Sequence, residues 1–241
     1  MFEGLLDFIN SRRKKEGEKH THTVYGGGEY GGSYTIPKHE LDEFYNLLNT
    51  SIFERKEKFS IVEKVQDISP LIIDFDFKYK KKITERQYNS KILDYFVQSI
   101  FQKLEILYNI SDDQKVCWIM EKKKPVDAPQ KGYEKKDGIH FLFPYIIAEK
   151  KSFRSFRNLL IEEDFHSVIT AENLIPPSNS MEEIVDEAIY KGGNWFIYGA
   201  GKPNEQCYKL TKILKLNGDS LTSLPTDIYK EDPLTIMKLN S

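Results

Sequence analysis

Two aspartates one residue apart, Asp74 and Asp76, sit inside the apolar run Pro70-Leu-Ile-Ile-Asp-Phe-Asp-Phe77. In an extended strand, residues i and i+2 share a face. Both carboxylates therefore project together, while Ile73, Phe75 and Phe77 face the opposite layer. Carboxylates this close repel each other unless a cation neutralises them. Mg²⁺ or Mn²⁺ suits such oxygen ligands and leaves room for substrate phosphates. A plainer alternative has one aspartate at a strand end and the other paired with Lys78 or Lys80. His140 stands in Asp137-Gly-Ile-His-Phe-Leu-Phe-Pro144, either as a core histidine or as a ligand, and Gly138 permits close approach of backbone or ligand. Asp186 lies in Ile184-Val-Asp-Glu-Ala-Ile-Tyr190, where Ser180 and Glu183 resemble a helix cap and the spacing predicts a solvated helical charge. The run Gly199-Ala-Gly-Lys202 is not a P-loop, because that spacing needs glycine where Phe196 stands and Ser or Thr where Pro203 stands. Lys202 can still meet a phosphate as a point charge.

These residues need elements to position them. The run from 70 to 77 reads as a buried strand. Residues 59–65, 116–120, 139–144, 195–198 and 208–214 read as further strands. Leu41, Phe44, Tyr45, Leu47 and Leu48 recur at helical spacing, so 39–49 is a short amphipathic helix. Thr84 with Gln87 forms a capping-box pattern ahead of the stripe Ile92, Leu93, Phe96, Val97, Ile100, Phe101 and Leu104. Residues 152–161 form another helix with Phe153, Phe156, Leu159 and Leu160 inward, and Arg154 and Arg157 share a helical face as surface charges or contacts to a nucleic-acid backbone. Residues 122–136 read as a solvated lysine-rich loop. Residues 20–34 hold five of the fourteen glycines and read as a mobile hairpin or loop, which argues against a metal pair at His20 and His22. After Asn217 the periodicity fades. Helices and strands alternate without strict βαβ regularity, predicting a mixed α/β or α+β sheet.

Composition narrows the function classes. In 241 residues, 35 basic side chains face 37 acidic ones, a net charge of −2, so bulk charge cannot attract a polyanion and any nucleic acid must meet a local patch. Two cysteines, Cys117 and Cys207, exclude a disulfide scaffold and suit a reducing compartment. No run of about 18 apolar residues exists, so neither a membrane helix nor a membrane partner is expected, and an intracellular chain is.

Taken in order, the three motifs resemble the archaeo-eukaryotic primase superfamily. The flanking text is similar to the N-terminal primase domain of primase-helicases of large DNA viruses and to related primase-polymerases. Pro70-Leu-Ile-Ile-Asp-Phe-Asp-Phe77 matches the first motif, and Lys136-Asp-Gly-Ile-His140 with Phe143-Pro144 the second. Asp186-Glu-Ala-Ile-Tyr190, Trp195 and Tyr198-Gly-Ala-Gly-Lys-Pro203 match the third and its sequel. The resemblance runs from Tyr34 to Leu214. No arginine stands near Asn194 and Trp195, where related primase-polymerases carry one.

The resemblance implies an α+β catalytic core with an RRM-like sheet, acidic site on one face and helices on the other. It implies a domain over 1–217 (1–33 flexible) and a linker or truncated end over 218–241, leading to a helicase-type region. Asp74, Asp76 and Asp186 would be catalytic and hold two Mg²⁺ or Mn²⁺ ions, with Asp186 on or beside a strand. His140 would contact the triphosphate of the incoming nucleotide, and Lys202 would help hold it. The implied activity is template-directed nucleotidyl transfer that makes or extends primers for DNA replication. Single-stranded DNA, nucleoside triphosphates and a fused or associated superfamily-3-type helicase would be the partners, at a viral replication site in the host cell. Lys78, Lys80, Lys81 and Lys82 follow the first motif, and Lys122, Lys123, Lys124, Lys131, Lys135 and Lys136 precede the second. Of these, Lys78, Lys80, Lys135 and Lys136 are the expected template contacts. The rival readings are a metal-dependent phosphoesterase or nuclease using the same acidic cluster, and a non-catalytic nucleic-acid-binding module.

Overall fold

The computed structural model describes residues 4–26, 30–129, 132–227 and 232–239. They fall into two compact units. The first comprises Met1–Gln66, Gly192–Lys209 and Asp227–Ser241, the second Asp67–Lys191 and Leu210–Thr226.

In the first unit, β1 (His22–Val24), β2 (Gly32–Tyr34), β3 (Ile61–Lys64) and β8 (Asn194–Phe196) form an antiparallel sheet in the order β2-β1-β3-β8. α1 (Leu5–Asn10) buries Leu5, Leu6, Phe8 and Ile9. α2 (Leu41–Asn49) buries Phe44, Tyr45 and Leu48 and runs into a π-helical turn at Thr50–Glu54. α7 (Pro233–Leu239) packs on α2 through buried Ile236 and Met237, with Lys238 Nζ 2.7 Å from Asp42 Oδ1. Among the described residues up to Tyr34, the chain forms the helix α1 and the paired strands β1 and β2. The hairpin forms because His22 and Val24 point into the unit's core; the glycine-rich positions 27–29 lie outside the described residues.

The second unit is built on a sheet ordered β10-β9-β5-β7-β4, with a short strand β6 also pairing with β7. β4 (Ile68–Tyr79) and β7 (Lys135–Glu149) are antiparallel, with a register shift between Pro70 and Leu71. β5 (Val116–Glu121) lies on the far side of β7, and β6 (Val126–Asp127) pairs with Lys135 and Lys136. The lysine-rich stretch expected as a loop therefore carries a strand and the start of β7. β9 (Lys209–Asn217) and β10 (Ser220–Leu224) complete the sheet. After Asn217, Ser220–Leu224 form an edge strand, whose mostly exposed Ser and Thr residues leave no apolar alternation to read.

α3 (Ser90–Leu107) buries the whole predicted stripe from Ile92 to Leu104. Its cap is Asn89, whose Oδ1 accepts from Ile92 N–H at 3.1 Å, and not the Thr84–Gln87 pair. Gln87 is committed elsewhere, its Oε1 accepting from Ile175 N–H. α4 (Lys150–Leu160), α5 (Phe165–Ala171) and α6 (Met181–Ile184) complete the unit. Phe75, Phe77, Phe96, Phe141 and Phe165 are fully buried, and Phe75 meets Phe96 at 5.6 Å, Phe165 at 5.4 Å and Phe141 at 5.1 Å between ring centroids. Burying each ring contributes about 2–3 kcal/mol, and each ring pair about 0.5–1.5 kcal/mol more. α3 and α5 therefore cover the phenylalanine face of β4, and stability rests there, opposite the carboxylates.

Candidate active site

Strand alternation sets the site. Ile73, Phe75 and Phe77 are wholly buried on one face of β4, while the half-buried Asp74 and Asp76 share the other. In the β4–β7 register Asp74 lies opposite His140, Asp76 opposite Gly138 and Lys78 opposite Lys136. No side chain rises opposite Asp76, because 138 is glycine. His140 Nε2 is 3.6 Å from Asp74 Oδ1, and Lys136 Nζ is 2.6 Å from Asp76 Oδ2. Asp74 Oδ1, which His140 faces from beyond hydrogen-bond reach, and Asp76 Oδ1 are buried and accept no hydrogen bond.

Asp186 joins them from a distant part of the chain. Only Met181–Ile184 is helical. Val185 then makes a β-bridge to Phe75, and Asp186 N–H donates to the Asp74 carbonyl at 3.0 Å. The Ser180–Glu183 cap pattern heads this one turn alone, and the chain leaves it at Val185 to lie beside β4. Asp186 Oδ1 accepts from Ala188 N–H at 2.9 Å.

The electrostatics follow from this crowding. Burial pushes the Asp74 carboxyl well above the usual range, Asp76 and Asp186 push it further, and Lys136 and Lys122 pull it back. Burial, then Lys122 and Lys136, hold His140 well below its ordinary value, so it is neutral. Behind β7, the fully buried Asp137 carboxylate is gripped by Arg86, Nε to Oδ2 at 3.0 Å. Arg86 also bonds Glu121 and the Lys122 carbonyl, which fixes both lysine-bearing segments.

The other predicted positions are dispersed. Lys78 Nζ is 3.8 Å from Glu183, Lys135 Nζ is 2.7 Å from Asp127, and Lys80 is exposed. Lys131 lies outside the described residues. Lys202 belongs to the first unit, exposed in a turn after β8 where its carbonyl accepts from Glu205 N–H. In the preceding turn, Ile197–Ala200, Gly199 has φ +85° and lies against the Phe53 ring, so this glycine serves packing. Reading the sequence alone misses Arg86, Asn179 and Tyr190 and takes Arg157 for a surface or template charge. Arg157 is in fact buried with Phe153, Phe156 and Leu160, a spacing that an amphipathic stripe would have revealed, and it displaces the expected Leu159 from that stripe.

The donor set fits hard divalent cations. Buried anionic oxygens without hydrogen bonds are what Mg²⁺ or Mn²⁺ takes. Among the described residues no group of three or more His, Cys, Asp or Glu side chains stands arranged to hold a metal ion; the Lys136 ammonium rests on Asp76 in a cation's stead.

This α+β architecture, an antiparallel sheet with acidic residues on one face and helices behind the other, is that of an archaeo-eukaryotic primase core. Residues 21–214 match the family described as C962R protein N-terminal AEP domain, and the chain belongs to that archaeo-eukaryotic primase family. Among its relatives, a candidate helicase of Acanthamoeba polyphaga mimivirus is 29% identical over 216 residues, covering 86% of this chain and 21% of the relative. A candidate helicase of Invertebrate iridescent virus 6 is 26% identical over 224 residues, covering 83% of this chain and 22% of that protein. One of Invertebrate iridescent virus 3 is 26% identical over 246 residues, covering 90% and 24%. The chain thus spans about a fifth to a quarter of the length of these relatives. No helix among the described residues is long and apolar enough to cross a membrane.

Proposed function

We propose that this chain is the primase part of a viral replication protein, joining nucleotides to a primer end along a single-stranded DNA template. The observation that carries this reading is the meeting of Asp186 with the Asp74–Asp76 pair through the 3.0 Å backbone bond to Asp74. Asp74, Asp76 and Asp186 would hold two Mg²⁺ or Mn²⁺ ions, which when bound lower the pKa of a 3′-hydroxyl and neutralise the leaving pyrophosphate.

The chain's own residues supply position and field. His140, held neutral, offers one N–H to a phosphate oxygen without adding charge. Lys122 and Lys136 offset the carboxylates and favour a polyanionic nucleotide beside them. Such chemistry depends almost wholly on positioning and electrostatics. Lys202 is a second proposed phosphate contact, and Lys78, Lys80, Lys135 and Lys136 are the proposed contacts to template. The helicase names of the viral relatives support a longer protein in which a helicase region follows or associates. A replication site in the infected cell is the matching location.

The test is incorporation of labelled nucleotide on primed and unprimed single-stranded DNA with Mg²⁺ or Mn²⁺. Elongation by the wild type and none by Asp76→Asn is the expected result. Shortening of an end-labelled strand would make the chain a nuclease or phosphoesterase. DNA binding with no reaction, unchanged in Asp74→Ala plus Asp76→Ala, would leave only a binding module.

A further inference from the structure

β4 is the last strand of its sheet, so one row of its backbone N–H and C=O groups faces no neighbouring strand. Buried groups of that kind must find partners. A single stretch, residues 178–190, supplies them. Tyr190 Oη donates to the Ile72 carbonyl at 2.7 Å, and Asp186 N–H to the Asp74 carbonyl at 3.0 Å. The Asn179 amide spans the next step: Nδ2 donates to the Asp76 carbonyl at 2.8 Å, and Oδ1 accepts from Lys78 N–H at 2.9 Å. Ser178 N–H donates to the Lys78 carbonyl, and Ser178 Oγ accepts from Lys80 N–H. Only Val185 pairs with β4 as a strand residue would.

A regular strand would be held in register by its own ladder. This segment makes only two backbone bonds of that kind, side chains supply the rest, and the helices behind it tie it down. Arg157 on α4, only 7% exposed, donates from Nε to the Val185 carbonyl at 2.9 Å and from Nη2 to the Glu182 carbonyl at 2.6 Å. His166 on α5 donates from Nε2 to the Asn179 carbonyl at 2.8 Å. Both hydrogen bonds of Arg157 go to carbonyls, one of them directly before Asp186. The Asn179 amide is anchored to the backbone of Asp76 itself.

We infer that Asn179 and Arg157 are positioning residues for the third carboxylate, fixing residues 178–190 on β4 so that Asp186 converges with Asp74 and Asp76. This rests on the reading of those three carboxylates as one cation site. Neither residue touches substrate or ion; Arg157 acts through Asp186, and Asn179 acts chiefly through Asp186 while also bonding the Asp76 carbonyl.

The experiment is a Mn²⁺ titration of the whole chain, with free Mn²⁺ followed by electron paramagnetic resonance. Wild type, Asn179→Ala, Arg157→Met and Asp186→Asn are compared, and each positioning change is repeated in the Asp186→Asn background. Second-sphere partners of metal ligands typically change affinity 10- to 100-fold, so Asn179→Ala and Arg157→Met should each weaken Mn²⁺ binding about tenfold or more. In the Asp186→Asn background Arg157→Met should have almost no effect and Asn179→Ala should lose most of its effect, because the group they position is gone. A general loosening of the fold would cost the same in both backgrounds, and that result overturns the inference. So does wild-type affinity in the folded single variants. If Arg157→Met fails to fold, Arg157→Lys, which keeps the charge but cannot bridge both carbonyls, takes its place under the same criteria. Failure of the underlying site reading shows separately, as Asp186→Asn binding Mn²⁺ like the wild type.

Discussion

A carboxyl group buried beside two others is an expensive thing to ionise, and Asp74 is such a group. Asp74→Asn keeps the shape and removes the charge. The metal-free variant should therefore melt at the same temperature as the wild type or higher by calorimetry, while nucleotide incorporation falls below detection; a lower melting temperature would contradict the crowding described. His22 works in the other direction. It is buried in the first unit, where desolvation and then the neighbouring His20 lower its pKa to about 3, and its nearest carboxylate, Glu63, is 3.9 Å away. Its unfolded value is near 6.5. Because the folded value is the lower one, the unfolded chain gains the proton more readily. Stability from neutral His22 is complete above about pH 6.5 and is lost as pH falls toward 3. At pH 5 the loss is about 2 kcal/mol. A melting-temperature series from pH 7 to 4.5 should fall with pH, and His22→Gln should flatten it. At this scale the sequence was readable where local spacing decides, as for Asp74 and Asp76. It was silent where burial is conferred from elsewhere, as for His22 and Asn179.

Elements repeat that division. The stripe on α3 is visible in the chain because one helix face meets one layer of phenylalanines. Its start was misplaced because Thr84–Gln87 and Asn89 both offer cap chemistry, and only tertiary contacts divert Gln87 to Ile175. Asn89→Ala should destabilise the chain by about 1 kcal/mol in urea, the usual value of a lost N-cap, whereas Thr84→Ala should change little. Asp186 eluded periodicity because its partner carbonyl, at Asp74, is remote in sequence and no neighbouring residue announces it. The motif resemblance, and not the spacing, indicated a strand-side position for it. β10 escaped notice for the opposite reason, being an edge strand too polar to alternate.

For the molecule as a whole, a net charge of −2 means that the DNA of the proposed function would have to be met by local lysines. Lys80, Lys81 and Lys82 are exposed directly after the carboxylate strand, and Lys123 is exposed after β5. Four phosphate contacts on single-stranded DNA, one from each of these lysines, would give a slope of about −2.8 in log affinity against log salt. Fluorescence anisotropy between 50 and 200 mM salt (about that range) measures it. Lys80→Ala plus Lys81→Ala should flatten the slope by roughly 1.4, and a salt-independent affinity would remove these lysines from the template path. Residues 178–190 have one more consequence, for the protein's solubility. β4 carries Leu71, Ile72, Ile73, Phe75 and Phe77 in close succession, the kind of sequence that adds readily to another copy of itself when its outer edge lies open. The segment that delivers Asp186 also closes that edge, so a chain caught before it docks is the form most prone to aggregate.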